Sequence, residues 1–207
     1  MKNVTVIKHP LVQHNLTRLR DRRTQPQEFR RLLGEIASLM LYEATRDFAV
    51  RADSVATPLA IARGFRLERD IVLVPVLRAG LGMLDGILQL IPHAHVGFIG
   101  LKREETTLRA QFYHKSLPQN LSRSEVILID PMLATGGSAV AALDLLVEQG
   151  ATHIRLVSLV AAPEGIRRLR SKYPRVPVYT AAIDKKLNQK GYILPGLGDA
   201  GDRLFGT

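Results

Sequence analysis

The chain has 207 residues, a formal net charge of +10 and no cysteine. Its length suits one domain, expected over residues 1–207, and an apolar content of 46% is ordinary for a globular protein. The lack of cysteine excludes disulfides and thiolate metal sites, and no stretch approaches the roughly 20 apolar residues of a membrane span. Because no secretory signal is visible, we expect a cytoplasmic protein without a membrane partner.

The net charge of +10 has three interpretations: nucleic-acid binding, a site for a heavily anionic substrate, or a compositional habit. Aromatic residues, on which bases could stack, make up only 5% of the chain, and its basic residues are scattered rather than clustered. We therefore favour the last two interpretations and expect no specific nucleic-acid partner.

Two helices are expected ahead of the core. One covers about residues 10–22, and the other follows the capping signature Thr24–Gln27, with apolar residues at helical spacing from Phe29 to Phe48. They would form an N-terminal helical arm over residues 1–50 that packs on the flank of the core or on a partner subunit. Their apolar faces favour a homodimer or a higher homo-oligomer.

The middle of the chain alternates between strands and helices. Strands are expected near residues 71–76, 94–100, 125–130, 154–160 and 176–180, and helices near 80–90, 137–149 and 163–172. This order predicts an α/β core over residues 70–182, a doubly wound parallel sheet with helices on both faces. Residues 102–120 interrupt the alternation, and Ala110–Tyr113 could form one arm of a hairpin, so we expect a flexible, hairpin-like lid there.

The segment from Val126 to Ser138 carries the clearest chemical signal. The aliphatic run Val126–Ile129 predicts a buried strand, Asp130 stands at its end, and Thr135–Ser138 leads into a helix. Glycines, hydroxyls and a helix N-terminus together make an anion site, and the acid could hold the hydroxyls of a sugar. The alternative is an ordinary turn and helix cap. The pattern fits neither a Walker loop nor a dinucleotide fingerprint.

Two arginines are placed to meet this loop. Arg78 follows the first core strand, Arg103 follows the second, and Asp130 ends the third. Ligands of open α/β sheets bind beyond the carboxyl ends of the strands. A single arginine is more often a solvated surface residue, but the shared position of these two predicts a common crevice.

The C-terminal segment, residues 191–207, contains five glycines interleaved with Tyr192, Ile193, Leu194, Leu197 and Phe205. A disordered tail rarely contains so many apolar residues. We interpret it as an ordered loop whose backbone comes close to a flat ligand.

The loop at Asp130 resembles the phosphoribosyl pyrophosphate (PRPP) loop of type I phosphoribosyltransferases. Its Asp130-Pro131 pair, where that family usually has two acids, resembles the form in uracil phosphoribosyltransferases. The C-terminal segment is similar to the uracil-binding loop of the same family, and Val74–Met83 and Ala161–Gly165 also match its pattern. The resemblance runs from Lys8 to Thr207, with local departures at Glu104 and over Val50–Gly64, which has fewer turn residues than its relatives.

This resemblance implies the type I phosphoribosyltransferase fold and transfer of a phosphoribosyl group from PRPP to uracil, giving UMP and diphosphate. It implies Mg²⁺ as cofactor, held mainly through phosphate oxygens and water, with no direct protein ligand. Uracil and PRPP are the implied small-molecule partners, and GTP is a candidate effector.

The implied site has three groups of residues. The expected catalytic residues are Arg78, Arg103, Asp130 and Asp199. PRPP would be bound by Arg78, Arg103, Asp130, Pro131, Met132, Leu133, Ala134, Thr135, Gly136, Gly137, Ser138 and Asp199. Uracil would be bound by Ile193, Gly198, Asp199 and Ala200, largely through backbone groups. No residue stands out as a general base.

Two other functions are compatible with this type of fold. One is an RNA-binding attenuator of a pyrimidine operon, suggested by the positive charge, although such regulators lack a C-terminal loop of this form. The other is a purine phosphoribosyltransferase, which is disfavoured because the C-terminal segment suits a single ring.

Overall fold

The computed structural model describes residues 3–103 and 110–207. The helices of this part of the chain are α1 (Pro10–Arg20), α2 (Pro26–Ala44), α3 (Leu81–Leu90), α4 (Gly137–Glu148), α5 (Pro163–Lys172) and α6 (Ala200–Phe205). The strands of the N-terminal half are β1 (Val4–Val6), β2 (Val50–Ala56), β3 (Ile61–Leu67), β4 (Ile71–Leu77), β5 (His95–Val96) and β6 (Phe98–Arg103). Those that follow are β7 (Ala110–Ser116), β8 (Glu125–Ile129), β9 (Met132–Leu133), β10 (His153–Ala161), β11 (Val178–Ile183), β12 (Lys186–Leu187) and β13 (Ile193–Leu194).

The central sheet runs in the order β1-β11-β10-β8-β4-β6-β7, with β5 beside β4 and β9 beside β10. Its pairings are parallel except for β6 with β7, which is antiparallel. The expected mostly parallel sheet is therefore confirmed, and the predicted core strands and helices are present within a few residues of their expected bounds.

Helices cover the two faces of this sheet because alternate residues of each strand point in opposite directions. In β4, Leu73 packs into the core formed with α1, α2 and α3, whereas Val72 and Val74 pack into the core formed with α4 and α5. All three side chains are fully buried. The near-continuous apolar run of a strand buried on both faces is thus explained, and the doubly wound class is confirmed.

The N-terminal arm is part of the core rather than an appendage. Strand β1 pairs with β11, and the apolar stripe of α2 from Phe29 to Ala44 is buried within the chain itself. Phe48 lies beyond the end of the helix. The predicted capping signature is wrong, since the N-cap is Gln25 without a side-chain bond and the Thr24 hydroxyl donates to the carbonyl of Arg18.

An unpredicted hairpin, β2 with β3, pairs only with itself among the described strands. Its side chains are mostly exposed on both faces, including Leu59 at 97%, Ile61 at 80% and Phe65 at 64%. Without one buried face, the two strands show no alternation that a sequence pattern could reveal.

The expected hairpin arm after β6 is present, because β7 pairs with β6 in antiparallel register. Residues 104–109, including the departure at Glu104, lie outside the described residues, so the lid stays a prediction. In the described part of the chain, no helix is both long enough and apolar enough to cross a membrane.

Candidate active site

The loop after β8 is an open turn between a strand end and a helix start. Asp130 follows β8, and its carboxylate accepts the backbone N–H of Met132 at 3.3 Å. The buried Ser158 hydroxyl donates to the Asp130 carbonyl, which fixes the backbone below the carboxylate. Gly136 then turns the chain at φ +77° and α4 begins at Gly137, so the N-terminus of α4 faces this loop.

The floor of the loop is the start of α5. A Cβ atom built on Gly136 would lie 2.8 Å from the carbonyl oxygen of Gly165, and one built on Gly165 would lie 2.4 Å from that of Ala134. Two glycines therefore allow the loop and the helix to pack backbone against backbone. Gly165 belongs to the Ala161–Gly165 match, to which the sequence assigned no role.

The Asp130 carboxyl has an altered acidity. Burial raises its pKa to about 6 from the ordinary value of 3.8, and the hydrogen bond from Met132 acts in the opposite direction. Desolvation disfavours the charged form, so a ligand that donates hydrogen bonds to the carboxylate would favour ionisation.

Arg78 lies at the opposite wall, immediately after β4. Its guanidinium is 5.5 Å from the centroid of the Phe205 ring and 4.0 Å from the Asp202 carboxylate. Gly80 allows the sharp turn into α3, because a Cβ there would lie within 2.8 Å of two backbone oxygens. Arg103 ends β6, beside β4 in the sheet, but its side chain lies outside the described residues.

The third wall is the C-terminal segment. Ile193 is buried in β13, and Gly198 has φ +83°, a conformation that other residues rarely adopt. Asp199 caps α6 by accepting the backbone N–H of Asp202 at 3.0 Å, and Ala200 is the first residue of that helix. The segment expected to be a loop throughout therefore ends in a short helix.

These walls enclose a cavity of about 410 Å³. Its lining contains nine of the expected site residues: Arg78, Asp130, Met132, Ala134, Ser138, Ile193, Gly198, Asp199 and Ala200. The other described members of the loop are outside this lining: Pro131, Leu133, Thr135, Gly136 and Gly137. Both apolar residues of this set are buried, Pro131 between β8 and β9 and Leu133 in β9.

Several residues around the cavity were missed by sequence reasoning. The additional lining residues are Val76, Leu77, Ala79, Leu101, Lys190, Gly191, Tyr192 and Gly201. Lys190 adds a cation and Tyr192 an aromatic ring, 44% exposed, on which a flat ligand could stack. Arg168 lies behind the loop, with its Nη1 atom 3.4 Å from a Cβ built on Gly137. Helical spacing on α5 gave no signal for this contact.

Two carboxylates line the cavity, those of Asp130 and Asp199. Within residues 3–103 and 110–207, no group of three His, Cys, Asp or Glu side chains is placed to hold a metal ion. Two carboxylates suit Mg²⁺ that retains water and takes other oxygens from a phosphate ligand, which is its usual binding mode beside nucleotides.

A larger groove of about 840 Å³ lies between α1, α2, α3 and α6. Its basic side chains already have partners: Arg31 pairs with Glu28 and Glu35, and Arg30 donates to the carbonyl of Leu204 at 2.7 Å. It contains neither a glycine loop nor a strand-end acid. The chemistry therefore points to the smaller cavity.

Comparison with known proteins identifies the family of the chain. A family model described as uracil phosphoribosyltransferase matches residues 6–207. The uracil phosphoribosyltransferase of Dictyoglomus thermophilum is 57% identical over 205 residues, covering 99% of both chains. That of Campylobacter fetus is 51% identical over 207 residues, covering 100% of this chain and 99% of the relative.

Solved structures give the same result at the level of the fold. The AQ2163 protein of Aquifex aeolicus superposes with a TM-score of 0.93 at 40% identity, covering 98% of this chain and 97% of the other. A purine phosphoribosyltransferase of Pyrococcus horikoshii, at 17% identity and a TM-score of 0.53 over 74% of this chain and 83% of the other, shares the fold alone. On the family match and these identities, the chain belongs to the uracil phosphoribosyltransferase family.

Proposed function

We propose that the protein transfers the phosphoribosyl group of PRPP to uracil, releasing diphosphate and forming UMP. The observation that carries this proposal is the single cavity in which the Asp130 loop, Arg78 and the C-terminal segment meet. The relatives that match over the whole chain are named uracil phosphoribosyltransferases, which favours uracil over a purine as the acceptor.

The Asp130 loop would bind the ribose 5-phosphate. The backbone N–H groups at the start of α4 and the Ser138 hydroxyl provide donors, and the helix N-terminus provides partial positive charge. Asp130 would accept hydrogen bonds from the ribose hydroxyls. These contacts would place the anomeric carbon in the cavity, and accurate placement is a large part of catalysis when no strong nucleophile is used.

Arg78 and Arg103 would contact the diphosphate. Negative charge grows on this leaving group as its bond to the anomeric carbon breaks, so paired guanidinium donors stabilise the transition state more than the ground state. Bound Mg²⁺ supplies further positive charge to the diphosphate oxygens. Asp130 and Asp199 are the residues that would hold its water molecules.

The C-terminal segment would bind uracil. The alternating donors and acceptors on one edge of uracil match backbone groups, and Ile193, Gly198 and Ala200 all line the cavity. Gly198 has no side chain to block the approach of the ring. The described lining includes no histidine, and we assign no general base, since the ring N–H of uracil is itself moderately acidic.

Incubation of the purified protein with labelled uracil, PRPP and Mg²⁺ tests the proposal. We expect labelled UMP and one diphosphate per UMP. The absence of UMP at high protein concentration would contradict it. Hypoxanthine in place of uracil serves as the matched control and should give no nucleotide.

The RNA-binding alternative rests on the net charge alone. The net charge already counts all 19 carboxylates. Many basic side chains are held in ion pairs with those carboxylates rather than left without a partner at the surface: Arg18, Arg20, Arg23, Arg31, Arg46, Arg66, Arg155 and Lys172. Filter binding with pyrimidine-operon leader RNA would distinguish the two. We expect only weak binding that disappears with added salt.

We also propose that the protein is a homo-oligomer, but not through the helices considered from the sequence. The apolar faces of α1 and α2 are buried in the chain's own core. The exposed apolar surface lies instead on the β2–β3 hairpin, at Leu59, Ile61 and Phe65. An exposed apolar hairpin is a surface that oligomers cover.

Light scattering should show a multiple of the 22.9 kDa chain. Replacing Leu59, Ile61 and Phe65 with lysine should lower the measured mass toward that of a single chain. Replacing the exposed Tyr42 on α2 with lysine should leave the mass unchanged. A wild-type particle of one chain at micromolar concentration would exclude the oligomer. Activation by GTP and the cytoplasmic location stay predictions.

A further inference from the structure

The backbone that would contact uracil lies in a segment with little support of its own. Between β13 and α6, residues 195–199 have no regular secondary structure, and the short β12–β13 ladder is the only pairing of β13 in the described part of the chain. Recognition by backbone groups needs those groups to be held to within a fraction of an ångström. Other contacts must therefore hold the segment in place.

One ion pair holds both polar backbone groups of Gly196. Asp184 follows β11 and is buried, and its Oδ2 atom accepts the Gly196 N–H at 2.9 Å. Arg20, at the end of α1, donates to Asp184 Oδ1 and Oδ2 at 2.7 and 2.8 Å. The Nη1 atom of Arg20, which donates to Asp184 Oδ2, also donates to the Gly196 carbonyl at 2.8 Å.

The position of Gly196 is coupled to the residues that line the cavity. Gly196 has φ +60°, and a Cβ built on it would lie 2.1 Å from the carbonyl oxygen of Ile193, so these two residues form a tight turn. Gly198 is two residues further along. Arg20, Asp184 and Gly196 are themselves outside the cavity lining.

A second arginine supports the neighbouring carbonyl. Arg203 donates to the carbonyl of Leu197 at 2.9 Å and to that of Asp21 at 2.6 Å, and its guanidinium lies 4.6 Å from the centroid of the Phe29 ring. The end of α1 is therefore joined to two successive carbonyls of the segment. Like Arg20 and Asp184, Arg203 is outside the cavity lining.

We propose that Arg20 and Asp184 are positioning residues for uracil: they fix the backbone from Ile193 to Gly198 and act on the base without touching it. This inference rests on the proposed transferase function. It predicts that disturbing the ion pair weakens uracil binding selectively, while PRPP binding and turnover at saturating uracil are preserved.

Arg20→Lys is the sharpest variant, because it keeps the charge beside buried Asp184 but removes the planar fork that reaches the carboxylate and the carbonyl together. We expect KM for uracil to rise roughly tenfold or more, as for a lost charge-assisted hydrogen bond, with KM for PRPP and kcat near wild type. Arg18→Lys on the same helix, where Arg18 pairs with Glu28 at the surface, should change neither constant.

An unchanged KM for uracil in folded Arg20→Lys, or equal rises in both KM values, would overturn the proposal. Hydrogen exchange of the wild-type protein provides a second test that does not depend on a folded variant. The Gly196 amide should exchange more slowly than that of Gly206, whose hydrogen bond to the Asp202 carbonyl at 2.7 Å lies in the exposed last turn of α6, and fast exchange at Gly196 would also overturn the proposal. If the wild type makes no UMP, the transferase proposal fails, and slow exchange at Gly196 still reports whether the ion pair holds the segment.

Discussion

The guanidinium of Arg78 lies 5.5 Å from the ring centroid of Phe205, near the C-terminus, and 4.0 Å from the carboxylate of Asp202. The wall assigned to the leaving group and the helix that follows the uracil segment are therefore in contact. Both charged side chains are more than half exposed, so their ion pair contributes little to stability and leaves Arg78 available to an anionic ligand.

Arg78→Ala should remove charge stabilisation that grows toward the transition state. We expect kcat/KM for PRPP to fall roughly 100-fold, as when other transition-state donors are removed, with little change in the melting temperature. Asp202→Asn serves as the control, since it removes the exposed partner of Arg78 and should leave turnover close to wild type. Steady-state kinetics of both variants at saturating uracil would measure this, and equal losses would contradict the assignment.

Asp130 should make stability depend on pH in an unusual direction. Its folded-state pKa of about 6 lies above the ordinary 3.8, so the folded protein binds more protons than the unfolded chain between these values. Its contribution is therefore lost as pH rises from about 4 to 6, by on the order of 2 kcal/mol. Urea unfolding of the wild type and Asp130→Asn should give a difference that falls over this range. If the difference in unfolding free energy does not change with pH, the folded-state pKa of Asp130 is close to its ordinary value.

Asp199→Asn removes the negative charge of this residue while keeping its ability to cap α6. Asparagine caps helices about as well as aspartate, so the bond to the Asp202 N–H should persist and the melting temperature should stay near wild type. Loss of the negative charge should raise the Mg²⁺ concentration needed for half-maximal rate. Titration of Mg²⁺ at fixed PRPP measures this, and an unchanged requirement would exclude a metal-linked role for Asp199.

Gly198 and Gly206 form a matched pair with φ +83° and +72°. Alanine at either position should cost roughly 1–2 kcal/mol in backbone strain. Only Gly198→Ala places a methyl group at the cavity, so only this variant should raise KM for uracil. A similar KM for both variants would show that uracil does not approach the backbone of Gly198.

Gly165→Ala tests the packing beneath the Asp130 loop. The added Cβ would lie 2.4 Å from the Ala134 carbonyl oxygen and 2.7 Å from that of Leu133, so the loop must shift. We expect a loss of roughly 1–3 kcal/mol in unfolding free energy together with a raised KM for PRPP. Gly150→Ala, at φ +86° where the added Cβ would lie 3.9 Å from the Cβ atom of Ser122, should lose stability without changing KM.

The sequence predicted those parts of the molecule that have a local signature. The strand at Val126–Ile129, the glycines of the loop and the arginine after β4 are each visible within a few residues, because burial and turn geometry impose periodicity and residue type. The shared cavity followed from the rule that parallel strands present their carboxyl ends to one edge.

The remaining features depend on distant partners. Nothing near Asp184 indicates that it meets Arg20, which lies 164 positions away, and nothing near Gly165 shows that a loop carbonyl occupies the space of its missing side chain. The β2–β3 hairpin was missed for the opposite reason. Its strands are exposed on both faces, so burial imposes no pattern on them.

The bond network of Arg20, Asp184 and Gly196 also has a consequence for biosynthesis. It joins α1 to a turn that is synthesised 176 residues later. The Asp130 loop and Arg78 are therefore synthesised before the nucleobase half of the cavity, which cannot form until Gly196 has been added to the chain. Contacts of such long sequence separation form late and slowly, so the nucleobase half should be the last part of the site to become competent during synthesis.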